Sequence, residues 1–260
     1  MIQFLTQSKG GTARIELFGN GTLDIGEHSS AFTTGSIEGD GQVLLGARNL
    51  TVGANNLSTV FSGVIQNTGS LTKAGTAVFT LSGSNTHGGA TTITGGVLLA
   101  GNTTGSATGS GPVSVTTGTL GGSGIVGGAV IVGTGSGAGA FLVPAFGSNK
   151  KVTLTLQSSL TLQSDATYTY TSARRNQSRT DLVIARGVTI NGARINLQAT
   201  TQGRLKRGTV YTLITNTSPS PISGTFINLA DGAIITVNGN NLQASYTGGD
   251  GNDLTLTVVR

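Results

Sequence analysis

The chain has no cysteine and no tryptophan, and only four of its 260 residues are proline. Without cysteine, a disulfide scaffold and thiolate metal sites are excluded. No stretch approaches the roughly 20 apolar residues of a membrane helix, and the first ten residues lack the basic and apolar regions of a signal peptide. We therefore expect a soluble chain whose export signal, if it has one, lies upstream of Met1.

Charged and aromatic residues are also scarce, at 10% and 5% of the chain. Glycine is abundant instead, with 43 residues, while 36% of the chain is hydrophobic. Glycine supplies positive φ angles without steric cost, so this composition predicts short strands joined by tight turns. A disordered chain would lack the apolar residues.

Strand-like segments of three to five residues recur at short intervals, each followed closely by glycine, as in TLDI from Thr22, NLTV from Asn49 and TTI from Thr91. Short aliphatic strands with glycine punctuation are typical of the coils of a β-solenoid. After about Gly139 the alternating runs lengthen, and loops gain charge and proline. The pattern predicts an all-β parallel β-solenoid stalk over residues 1–139 and a hairpin-rich C-terminal cap over residues 140–260.

Residues 61–99 contain a more specific pattern: a Leu-x-Lys-x-Gly segment, the sequence LSGSN, paired glycines, a Thr-Ile pair and a closing Gly-x-Leu. This segment resembles the passenger-associated transport repeat of autotransporter proteins. The repeat positions are Leu71, Lys73, Gly75, Leu81, Ser82, Gly83, Asn85, Gly89, Thr92, Ile93, Gly96 and Leu98. His87 stands where the family has an aromatic residue, and we interpret it as a turn residue.

The resemblance implies a right-handed β-helical passenger of a type V secretion protein, placed outside the cell or on the bacterial outer surface. In that family, the C-terminal end of the passenger acts as a folding nucleus during secretion. The resemblance also implies that an outer-membrane translocator barrel follows in the full-length protein, beyond Arg260.

Catalytic and metal-binding patterns are weak. Glu38 and Asp40 share a strand face, but the flanking glycines favour a solvated turn, and His28 and His87 lie far apart without a nucleophile motif. The segment GGDGNDLTL from Gly248 matches a calcium nonapeptide, but only once, which favours a tight turn. We expect no enzyme activity, no cofactor and no metal.

Basic residues are concentrated in the second half of the chain. Eight of the fifteen lie between Arg174 and Arg207, with Asp181 as the single acid among them. Such a cluster can bind an acidic glycan, a lipopolysaccharide or a nucleic acid, or can simply be solvated. Nucleic acid is disfavoured because few aromatic stacking partners are nearby. The candidate glycan-binding residues are Arg174, Arg175, Arg179, Lys206 and Arg207.

The leading hypothesis is a non-catalytic structural and adhesive module of a secreted or cell-surface bacterial protein, with a C-terminal part that assists folding. Three alternatives remain open: an acidic-glycan-binding module that uses the basic cap, a filament subunit that self-associates through solenoid ends or edges, and a remote polysaccharide hydrolase.

Overall fold

The computed structural model describes residues 1–137, 139–148, 150–172, 181–199 and 203–259. Over these ranges the chain forms 29 strands and no helix. It follows that no helix of this part of the chain is long and apolar enough to cross a membrane. Most strands are short, as the glycine punctuation predicts.

The chain winds as a solenoid with three faces, which we number in the order in which each coil crosses them; for example, β6, β7 and β8 lie on the first, second and third faces. The second face is one nine-stranded parallel sheet: β4 (Phe32–Thr34), β7 (Asn49–Val52), β10 (Ser70–Lys73), β12 (Thr91–Ile93), β14 (Val113–Val115), β17 (Val130–Val132), β20 (Leu160–Leu162), β23 (Val188–Asn191) and β26 (Ser223–Thr225). The third face is also a nine-stranded parallel sheet: β2 (Arg14–Leu17), β5 (Ser36–Gly39), β8 (Thr59–Phe61), β11 (Val78–Leu81), β13 (Val97–Ala100), β15 (Gly118–Gly122), β18 (Ala140–Val143), β21 (Ala166–Ser172) and β24 (Arg194–Ala199).

The first face is divided into two sheets. One contains β1 (Ile2–Gln3), β3 (Thr22–Asp24), β6 (Gln42–Leu44) and β9 (Val64–Gln66). The other begins with β16 (Ile125–Val126), β19 (Thr153–Leu156), β22 (Leu182–Ala185) and β25 (Val210–Asn216), and ends in the cap with β29 (Asp253–Val258), β28 (Asn240–Gly248) and β27 (Ile234–Val237).

Inward side chains stack from coil to coil and form the core. On the second face, Leu71 pairs with Leu50 on one side and Thr91 on the other, and all three are fully buried. A single coil cannot bury its own apolar face, so each ladder depends on its neighbours for stability. The predicted β-solenoid is confirmed.

Coil length changes along the solenoid. In the first half the coils are short, and Leu23 on one coil pairs with Val43 on the next. Beyond Val130 each coil contains more residues, as the pairing of Leu142 with Tyr168 and of Thr155 with Ile184 shows. We call these two sets the short coils and the long coils. The strand ladders continue across this change, so the additional residues lie in the connections between strands, at the corners of the solenoid.

In the described part of the chain, antiparallel pairing begins at Val210. There β25 pairs with β22 in parallel and with β29 in antiparallel orientation, and the β27–β28 hairpin completes the sheet. Asn238 and Gly239 connect this hairpin with φ angles of 47° and 74°, as a type I′ turn requires. The hairpins predicted for residues 140–260 are formed by β27, β28 and β29, which we call the cap from here on, whereas parallel coils continue from residue 140 to β26. A domain boundary at 139 stays a prediction, although the long coils begin close to it.

Candidate functional site

The repeat positions occupy β10 to β13 in the short coils, and most of their side chains point into the solenoid. Leu71, Leu81, Ile93 and Leu98 are each 0% exposed. Ser82 donates a hydrogen bond to the Phe61 carbonyl of the preceding coil at 3.5 Å. Thr92 lies on the outward side of β12, and Gly75, Gly83 and Gly89 lie in the connections between strands. These residues build the scaffold of the solenoid.

Lys73 is the least expected of these inward residues, because a buried cation is costly without partners. Its side chain is 1% exposed, and Nζ donates hydrogen bonds to the carbonyls of Ala74 at 2.6 Å and Gly95 at 3.2 Å. Burial lowers the pKa of Lys73 to about 8. A Cβ at Gly96 would lie 2.7 Å from Nζ, so Lys73 and Gly96 fit together at one corner.

Asn85 holds successive coils together where the first face has no strand between β9 and β16. Its side-chain oxygen accepts the Ile65 amide of the preceding coil at 2.8 Å, and its nitrogen donates to the Ala107 carbonyl of the following coil at 2.5 Å. The buried amide thus replaces ladder hydrogen bonds that the interrupted sheet cannot supply.

His87 lies in the connection between β11 and β12, outside any strand, and its side chain is buried rather than exposed. The imidazole is 0% exposed and lies 3.0 Å from the Thr91 hydroxyl through Nε2, while Nδ1 has no hydrogen-bond partner among the described residues. Burial lowers the pKa of His87 to about 4, which keeps the ring neutral at physiological pH. The side chain fills the solenoid interior at the place where the family has an aromatic residue.

The acidic side chains considered for catalysis accept hydrogen bonds from residues of the preceding coil. Glu38 accepts the guanidinium of Arg14, and Asp40 accepts the Gly19 amide at 2.7 Å. In the described part of the chain, no three acidic, histidine or cysteine residues gather as metal ligands. Gly249 to Asn252 form the turn between β28 and β29, and the Asp253 carboxylate accepts the Asn216 amide at 2.9 Å.

The predicted basic cluster is divided by the structure. Arg174, Arg175 and Arg179 lie outside the described residues. Arg186 lies in the turn after β22 and Arg194 on β24, both exposed. Lys206 and Arg207 lie, with Arg204, in the connection from β24 to β25, and all three are exposed.

Two lysines outside the predicted cluster lie at the same corner of the solenoid as Arg204, Lys206 and Arg207, the corner between the third and first faces. Lys150 and Lys151 lie in the connection from β18 to β19, which leaves the third face and enters the first face, as the connection from β24 to β25 does. Both lysines are exposed. Sequence reasoning missed them because they lie well before Arg174 along the chain; the increase in coil length is the signal that could have placed them there.

Exposed acids are missing from this corner. The three successive connections, 144–152, 173–181 and 200–209, contain one acid, Asp181. Asp181 is 3% exposed and accepts the Thr171 amide at 3.1 Å; burial raises its pKa to about 6. Within the described ranges the ion pairs are those of Arg14 with Glu16 and Glu38, so the corner cations form none.

Comparison with known proteins supports the assignment of the repeat segment. A family model described as the passenger-associated-transport-repeat matches residues 71–100, from β10 through β13. No curated protein matches the chain. The match supports a bacterial protein that is secreted or on the cell surface, and both the repeat family and the solenoid fold are often non-catalytic. The chain therefore carries a passenger-associated transport repeat, the repeat of autotransporter passengers.

Proposed function

We propose that this chain is a non-catalytic structural and adhesive module of a secreted or cell-surface protein, and that its cap assists folding of the solenoid. The observation that carries the folding role is the local antiparallel pairing of β27 with β28 and of β28 with β29. Val237 pairs with Asn240 and Gly248 with Asp253. The parallel pairings of the coils join positions much farther apart in sequence, as Val113 with Val130 and Val130 with Leu160.

Local pairs form before distant ones, because closing a longer loop costs more conformational entropy before any contact stabilises it. The β27–β28 hairpin needs only a two-residue turn, and hairpins of this kind form in roughly 1–10 μs. The cap can therefore form first. The preformed cap then offers β29 to β25, a distant pairing that joins Val210 to Thr257. Once β25 is paired with β29, its other edge is free to template β22, and coils can add towards the N-terminus.

Aromatic side chains fasten the cap to the last coils. The Tyr246 hydroxyl donates to the Leu229 carbonyl at 2.7 Å and accepts the Phe226 amide at 3.0 Å. Phe226 stacks on Tyr168 with ring centroids 6.2 Å apart, and the Tyr168 hydroxyl donates to the Leu213 carbonyl at 2.9 Å. These contacts give the cap a buried polar network that specifies how it docks.

Refolding kinetics test the folding role. Tyr246→Phe removes both hydroxyl bonds and leaves the buried Phe226 amide unsatisfied, at a cost of about 1–3 kcal/mol. If the cap is the folding nucleus, this cost appears in the refolding rate, which falls roughly 5- to 150-fold. The matched control is Ile37→Val in the short coils, which should mainly accelerate unfolding. Circular dichroism after dilution from urea measures both rates; equal refolding rates in the two variants would contradict the proposal.

The non-catalytic role is supported by the local use of Glu38 and Asp40. Turnover of any polysaccharide by the purified chain would overturn it.

Self-association remains a further proposal. The outer strand of the cap sheet, β27, carries Ile234 at 60% exposure, and sedimentation over a range of concentrations would reveal pairing through this edge.

A further inference from the structure

We propose that the corner between the third and first faces of the long coils binds a linear acidic polysaccharide. We call it the basic corner, formed by Lys150, Lys151, Arg204, Lys206 and Arg207. The proposal goes beyond the structural and folding role and does not depend on it, because it concerns exposed side chains that the solenoid core and the cap network do not use.

The topology places the connections that carry these side chains one after another along the solenoid axis. β18, β21 and β24 are neighbours on the third face, and β19, β22 and β25 are neighbours on the first face. Neighbouring strands lie about 4.8 Å apart, so the connections that carry Lys150 and Arg204 leave the corner on the order of 10 Å apart. Such a row of cations matches the repeated charges of a linear polyanion better than a single anionic group.

The C-terminal part of the basic corner is held in place by the cap. The Leu205 amide donates to Asn240 Oδ1 at 2.7 Å, and Asn240 Nδ2 donates to the Gly203 carbonyl at 3.0 Å. The Gly208 amide donates to the Val258 carbonyl at 2.9 Å. The backbone on both sides of Arg204, Lys206 and Arg207 is therefore fixed, which reduces the entropy lost when a ligand binds.

No carboxylate of the described corner neutralises these cations. Asp181 is buried against the Thr171 amide, and the Asp250 turn lies beside Asn216, at the opposite end of β25 from Arg207. Unpaired guanidinium and ammonium groups bind carboxylate and sulfate oxygens through charge-assisted hydrogen bonds. They also raise the local concentration of an approaching polyanion.

The aromatic residues favour a polysaccharide over a nucleic acid. Single-stranded nucleic acids bind on successive exposed rings, but Tyr168 and Tyr170 are 0% and 2% exposed. Phe146, in the same connection as Lys150, is 38% exposed. Phe146 is the single aromatic residue in the sequence of the three corner connections. One ring there suits the apolar face of a sugar, whereas base stacking along a strand would need several.

Binding of immobilised polysaccharides to the folded chain tests the proposal. The probes are polygalacturonate for carboxylates, heparin for sulfates, neutral dextran and oligothymidylate. We expect the acidic polysaccharides to bind and dextran not to bind. The double variant Lys206→Ala/Arg207→Ala should weaken binding about ten-fold. Lys150→Ala/Lys151→Ala should weaken it as well, because both pairs lie on one row.

The control Arg186→Ala/Arg194→Ala removes the same two charges from exposed positions away from the corner, and its affinity should change less than about two-fold. Equal losses in the corner and control pairs would overturn the proposal by showing attraction to net charge alone. Absence of binding to either acidic polysaccharide at low salt would overturn it, as would tighter binding of oligothymidylate through the same pairs. Refolding rates of these variants should equal that of the parent chain, which separates this test from that of the folding role.

Discussion

The short coils and the long coils share one set of buried ladders but differ in what their corners hold. In the short coils the chain turns sharply, and glycines allow neighbouring corners to touch. In the long coils the corners extend into longer connections, where cations accumulate. The ladder supplies stability in both halves, so binding chemistry can vary at a corner without disturbing the core.

The largest expected effect comes from a short-coil corner. A Cβ at Gly83 would lie 1.9 Å from the Gly63 carbonyl oxygen, a contact that backbone must move to relieve. We expect Gly83→Ala to lower the free energy of unfolding by on the order of 3–5 kcal/mol, as measured by urea denaturation. Gly88, in the same connection between β11 and β12, has only contacts of 3.9 Å around the same position, so Gly88→Ala is the matched control and should be nearly neutral. A small effect of Gly83→Ala would show that the corners are not closely packed.

The two halves should also differ in their response to acid. The pKa of His87 in the short coils is lowered from 6.5 to about 4, so the unfolded chain binds the proton first and stability falls as pH decreases from 6.5 to 4. The pKa of Asp181 in the long coils is raised from 3.8 to about 6. The folded chain therefore binds this proton first, and stability rises as pH decreases from 6 to 4.

Single variants separate these opposite contributions. His87→Phe should remove the loss of stability on acidification, and Asp181→Asn should remove the gain, each of which is on the order of 2–3 kcal/mol between pH 6.5 and 4. Thermal unfolding at several pH values measures both. If the two variants shift the pH profile in the same direction, one of the two side chains is not buried as described.

The strand ladders could be predicted from the sequence, whereas the arrangement of residues at the corners could not, for a physical reason. Strand alternation and glycine punctuation are local signals, so the solenoid and the inward positions of Leu71, Ile93 and Leu98 could be predicted. The burial of His87 could not be predicted, because polar residues are mostly exposed. Its position inside the solenoid depends on the interruption of the first face, which the sequence does not reveal. The basic corner depends on which distant connections lie at the same edge, so Lys150 and Arg207 can be assigned to one corner only after the coil register is known.

The smallest expected effect is mutual repulsion among the corner cations. Lys150, Lys151, Arg204, Lys206 and Arg207 are exposed and have no ion-pair partner in the described part of the chain, and like charges about 10 Å apart repel weakly across one Debye length at 0.1 M salt. Added sodium chloride should therefore stabilise the parent chain slightly more than Lys150→Ala/Lys151→Ala, by about 0.3–0.5 kcal/mol. General salting effects act on both proteins and cancel in this difference, and Arg186→Ala/Arg194→Ala should keep the parent's salt response. A corner pair that responds to salt as the parent does would mean that its cations are too far apart to form one surface, which would weaken the distinction between the two sets of coils.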